Sequence, residues 1–150
     1  MPRLGPPAAS WRTLKSGVLL FWAAWFTIVV LTNVFDALKA GRVLPAGWTL
    51  ASGYWELMLK VTAVHGTPVV IVGLLFLGVI AWQVVAAVLF WRAWVAGGRG
   101  GLAAFTVALA LSAAFALADE IFVAYTIEPV HLRLLALQLL SVLALRLLPD

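Results

Sequence analysis

Apolar residues along this chain gather in four long runs, at 17–38, 68–95, 102–126 and 129–148. A run of about 20 such residues is the length a helix needs to cross the hydrocarbon core of a bilayer. Polar and turn-forming residues separate the runs. Between the first and second lies a polar stretch with Gly and Pro over 39–49, and then a segment over 53–65 in which Glu56 and Lys60 stand four residues apart, as on one helical face. Trp48, Tyr54 and Trp55 flank and open that segment, and such rings favour the headgroup level, so it predicts a short interfacial helix. Gly66 ends it, Thr67 is placed to cap the next helix, and Pro68 suits a first helical turn, where its missing N–H would be unsatisfied anyway. The glycines of Gly97, Gly98, Gly100 and Gly101 around Arg99 form the tightest turn signal. Pro129 restarts the chain, and Pro149 with Asp150 marks the stop. The pattern predicts an all-α membrane protein: one domain over 1–150, four transmembrane helices in an up-down bundle, and the interfacial helix between spans 1 and 2.

Composition agrees with this reading. Of 150 residues, 65% are hydrophobic and 11% charged, against about a quarter charged in a soluble domain, and the mean hydropathy is +1.09. The first run is too long for a secretory signal, whose apolar region is about 7 to 15 residues and ends in small residues; Leu38 and Lys39 stand where those would lie. There is no cysteine, which excludes disulfides, thiolate nucleophiles and Cys-held metals. A pI near 10.1 would suggest nucleic acid in a soluble protein, but here the basic residues sit at the ends of apolar runs, and no nucleic-acid surface is expected. Arg3, Arg12, Lys15, Arg92, Arg99 and Arg146 fall on one side of the four spans; Lys39, Arg42, Lys60 and Arg133 fall on the other. The excess on the first side predicts a bacterial inner-membrane protein with both termini in the cytoplasm.

The polar residues inside or near the spans are the candidates for function, because an ionisable group at a helix centre costs at least about 2.5 kcal/mol and needs a partner or water. Asp119 and Glu120 lie late in the third span and Arg133 early in the fourth, so an Arg133 pair with one of the acids is expected, with a proton or ion path as the alternative. Asn33, Asp36 and Glu56 belong to the same outer cluster, with Asn33 and Asp36 placed either to cap the first span or to line the cluster. His65 and His131 fall on that side too and are the candidate cofactor ligands: two neutral imidazoles can hold a haem b iron, and one imidazole with Glu56, Glu128 or Glu120 can hold a divalent metal. Their offsets from Pro68 and Pro129 differ by about five residues, roughly 8 Å along a helix, which is awkward for one iron; histidines bonding backbone or water are the commoner case. Gln83 and Gln138 are the strongly polar residues near the midplane and are expected to meet each other or a common partner as packing contacts, with a quinone or substrate contact as the sharper reading. Ala104, Ala108, Ser112 and Ala116 recur every four residues and predict a close helix neighbour.

No phosphate loop, no Ser/His/Asp order at motif spacing and no metalloenzyme signature occurs. Asn33-Val34-Phe35-Asp36, the aromatic segment before the second span, Ala86-Ala87-Val88-Leu89-Phe90 and Asp119-Glu120-Ile121-Phe122 together resemble a bacterial family of small four-span integral membrane proteins of unknown function. That family has an acidic residue where Gln83 stands here. The resemblance implies the four-span fold and no activity. The functional expectation is an accessory, anchoring or scaffold subunit of a larger inner-membrane complex, a respiratory one among the candidates, with the lipid bilayer and other membrane subunits or itself as partners. The alternatives are a haem-, metal- or quinone-binding membrane anchor using His65 and His131, and a small transporter or channel component. No catalytic residue is assigned.

Overall fold

A computed structural model describes residues 8–148, with side chains from Trp11 onward; Arg3, Pro149 and Asp150 lie outside the described residues. The described residues form α1 (Ala8–Ala40), α2 (Tyr54–Thr62) running into a 3-10 turn (Ala63–His65), α3 (Val69–Val95), α4 (Gly101–Ile121) and α5 (Glu128–Leu147). Four of these helices are long and apolar enough to cross a membrane: Trp11–Ala40, Val69–Val95, Gly101–Ile121 and Glu128–Leu147. α3 packs against α1 and α4, α5 packs chiefly against α4, and α1 and α5 touch only lightly.

The packing core lies toward the end of the molecule that holds the start of α1 and the α3–α4 turn. Leu19, Trp22, Ala23 and Phe26 of α1 meet Ala86, Ala87, Phe90 and Ala93 of α3 and Ala104, Phe105, Ala108 and Leu111 of α4. Alanines let the backbones approach, and the rings fill what remains: Phe90 stacks on Phe26 at 5.7 Å and meets Phe105 edge-on at 4.8 Å, both favourable ring geometries. Trp22 reaches across to α5, its Nε1–H donating to Ser141 Oγ at 3.0 Å.

Helix ends account for most departures from the pattern read in the sequence. α1 begins well before residue 17. Thr67 makes no side-chain cap, and Pro68, with extended ψ, is itself the N-cap of α3. The third run does not continue to residue 126: α4 stops at Ile121, because Val123 turns left-handed at φ 55°. Its N–H then bonds the Glu120 carbonyl, and the Ala124 N–H bonds that of Asp119 at 2.7 Å. This is a Schellman closure with valine where glycine usually sits. A left-handed β-branched residue is strained by about 1 to 2 kcal/mol, and Val123 is exposed, so its side chain recovers little by packing. Val123→Gly is therefore expected to raise thermal stability in detergent by about 1 kcal/mol, the strain relieved less the added freedom of the unfolded chain. A lower unfolding temperature would show that the valine packs more than its backbone strains.

Candidate functional site

α2 is fixed at both ends to the helices beneath it. Gly53 precedes it and has no side chain with which to cap, so the orphan N–H groups of its first turn are satisfied from elsewhere. Asp36 of α1 accepts the Trp55 N–H at 2.7 Å and the Ser52 hydroxyl at 3.1 Å, and Ser52 Oγ in turn accepts the Tyr54 N–H at 3.1 Å. Asp36 thus caps α2 rather than its own helix, and its charge suits a helix N-terminus. At the other end His65 Nε2–H donates to the carbonyl of Ile121 at 2.7 Å, and its ring packs on Phe122. That carbonyl ends α4 and lies outside the Schellman bonds, so His65 serves as a helix cap.

Held in this way, α2 lays Tyr54 between Phe76 of α3 and Phe115 of α4, at ring distances of 6.3 and 6.0 Å. Burial raises the pKa of its hydroxyl above the ordinary tyrosine range, and the charge of Asp119 adds to the rise. Tyr54 therefore keeps its proton at physiological pH and can donate a hydrogen bond. Beside it, Asp119 of α4 and His131 of α5 form a buried pair: His131 Nδ1 donates to Asp119 Oδ2 at 2.5 Å, and the imidazole stacks on Phe115 at 4.7 Å.

A cavity of about 220 Å³ lies under α2, walled by apolar side chains that include Leu57, Met58, Leu75, Leu111 and Phe122. Thr62 and Trp82 also line it, but their polar atoms are engaged, Thr62 Oγ1 on the Met58 carbonyl at 2.7 Å and Trp82 Nε1 on the Val107 carbonyl at 3.1 Å. The polar atoms left to face a guest are the Tyr54 hydroxyl and the second oxygen of Asp119. No fully buried side-chain polar atom lacks a partner among the described residues, so both are open to a small probe. The arrangement offers one donor and one acceptor at the edge of an apolar chamber.

Several expectations are corrected by this geometry. Arg133 is exposed and makes no ion pair among the described residues; the partner of Asp119 is His131. Two residues along a helix is a rotation of about 200°, so when His131 faces α4, Arg133 faces away. Glu120 and Glu56 are likewise exposed. The two histidines bond different atoms, an α4-terminal carbonyl and a carboxylate, so they do not converge on one iron. The cavity is also below the roughly 300 to 1,000 Å³ of ordinary ligand pockets, which leaves no room there for a porphyrin. No group of three or more metal-ligating side chains occurs among the described residues.

Gln83 and Gln138 do not meet. Gln83 Oε1 accepts from Asn33 Nδ2 of α1 at 2.8 Å, and Gln138 Oε1 accepts from the Ser112 hydroxyl of α4 at 3.1 Å, both pairs buried. Each amide is a packing contact between neighbouring helices, and Asn33 belongs to this layer rather than to the cluster under α2. Gln83→Leu is expected to lower stability by about 1 to 3 kcal/mol, since it leaves the Asn33 amide unpaired in an apolar setting. Adding Asn33→Leu should recover most of the loss; no recovery in detergent unfolding would mean that the two amides are not coupled.

Tyr54 and the role of His131 as partner of Asp119 were not read from the sequence as site features. His131 and Gln138 stand seven residues apart, two helical turns on one face, and that spacing carries the signal. No protein-family model matches the chain, and neither does any curated protein or solved structure.

Proposed function

We propose that this protein is a membrane-anchor subunit of a larger complex in a bacterial inner membrane, and that it holds a ring-sized apolar molecule of the quinol or quinone class under α2. Its four spans alternate in direction, both termini lie in the cytoplasm, and α2 rests along the outer surface. The observation that carries the ligand assignment is the Asp119–His131 pair, buried beside the Tyr54 hydroxyl at the wall of an otherwise apolar cavity of about 220 Å³. Ionisable groups at membrane depth are retained where they bind or carry something.

In this reading the ring of the guest lies among Leu57, Met58, Leu111 and Phe115. A quinol hydroxyl donates to Asp119, whose other oxygen is held in place by His131, and the ring's second oxygen, as hydroxyl or carbonyl, accepts from Tyr54. Apolar walls with a few convergent polar groups are the usual form of such sites. The anchoring role is supported by α5, whose span is only 11% buried. Its Leu132, Leu139, Leu140 and Leu143 are exposed and offer a face to lipid or to another subunit.

Photolabelling with an azido-quinone in mild detergent tests the assignment. Label is expected in peptides spanning 54–62 and 111–122, displaced by unlabelled short-chain quinol and absent from Ala118→Trp, which fills the cavity. Label spread evenly over all four long helices would reduce the interaction to partition into an apolar surface.

A further inference from the structure

A second cavity lies at the opposite end of the molecule, where the start of α1, the α3–α4 turn and the end of α5 come together. It measures about 820 Å³, and its wall carries Arg12, Lys15, Arg99 and Arg146 with no acidic residue among the lining side chains. Below the charges the lining is apolar, and its floor reaches the core residues Leu19 and Phe105. Trp94, a ring type that prefers the headgroup level, lines it as well.

We propose that this cavity is a binding site for an anionic phospholipid, with the headgroup phosphate among Arg12, Lys15, Arg99 and Arg146 and the acyl chains running down the seam between α1 and α5. Three features point to a lipid. Guanidinium groups pair phosphate oxygens two at a time, and three of the four cations are arginines from α1, the turn and α5. Arg12 and Arg146 make no ion pair among the described residues, and Arg99 makes one long bond to the Ala96 carbonyl at 3.4 Å. The apolar floor is shared by Leu19 of α1 and Val142 and Leu145 of α5, two helices that touch only lightly, so a guest with a charged head and long apolar tails fits both parts at once. A soluble phosphate would leave the lower part empty. The glycines of the turn shape the mouth: Gly97, Gly98 and Gly100 all have positive φ, at 63°, 97° and 83°, and fold Arg99 back toward the cavity it lines.

This site is separate from the one under α2 and stands whether or not that one binds a quinol. Native mass spectrometry of the purified full chain, with cardiolipin, phosphatidylglycerol, phosphatidylcholine or inorganic phosphate added in turn, tests it. The expected result is retention of one anionic lipid per chain, little phosphatidylcholine and no protection by phosphate. Changing Arg12, Arg99 and Arg146 together to Gln should weaken retention roughly a hundredfold, about fivefold for each basic group. Because those arginines also bear on topology, Ser16→Trp, which obstructs the cavity and leaves every charge in place, is the second variant and should lose the lipid too. Equal retention of phosphatidylcholine, equal protection by inorganic phosphate, or wild-type retention by Ser16→Trp would each overturn the proposal.

Discussion

Replacing His131 by leucine is expected to destabilise the folded protein by about 2 to 3 kcal/mol, the loss that follows when a buried acceptor is left without its hydrogen-bond partner. Asp119 is 4% exposed, and His131 is the partner that holds its Oδ2. Without the imidazole, that oxygen loses its hydrogen-bond donor in an otherwise apolar layer, which is unfavourable. Changing Asp119 and His131 together to leucine should recover most of the loss, since well-packed apolar replacements of a buried pair are often neutral or better. Arg133→Gln should shift stability by no more than about 0.5 kcal/mol, as for other exposed positions. Unfolding in detergent compares all three. Equal losses for His131→Leu and for the double variant would mean that Asp119 is hydrated and independent of its neighbour.

The second large effect is expected in the aromatic core. Phe90 is fully buried and touches Phe26, Trp22 and Phe105 on two other helices. Truncating it to alanine should lower stability by about 3 kcal/mol, the low end for phenylalanine in soluble cores. The low end applies because lipid, unlike water, solvates the ring well when helices separate, so the lost dispersion contacts and the cavity dominate. Leu140→Ala, on the exposed face of α5, serves as the comparison and should be nearly neutral. Similar losses at the two positions would indicate that α5 has a partner covering Leu140.

The helices were legible because lipid imposes a length and a composition that no competing element shares. Their ends were less so. Val123 carries no stop signal, since its residue type disfavours the left-handed turn that it makes, and the apolar run continues past Ile121 in the sequence. Side-chain partners were the least legible part. Charge alone favours Arg133 as the partner of Asp119, whereas the angle about α5 favours His131, which shares a face with the buried Gln138. For the midplane amides, depth was readable and helix order was not: Gln83 faces α1 and Gln138 faces α4, and only the packing order of the helices separates them. The capping of α2 by Asp36 joins residues 19 apart in sequence, through a loop whose path no local pattern fixes.

The most direct measurement is calorimetric titration of a short-chain quinol into the protein in nanodiscs, with Asp119→Asn, Ala118→Trp and Glu120→Gln beside the wild type. Glu120 neighbours Asp119 in sequence but is exposed, so it controls for charge at the same depth. The prediction is one saturable site per chain, unchanged in Glu120→Gln and lost in Ala118→Trp. In Asp119→Asn it should weaken by roughly 10- to 100-fold, the contribution of a hydrogen bond to a charged group. Absence of saturable binding, or equal binding by wild type and Asp119→Asn, would contradict the assignment of the cavity under α2 as a ligand site.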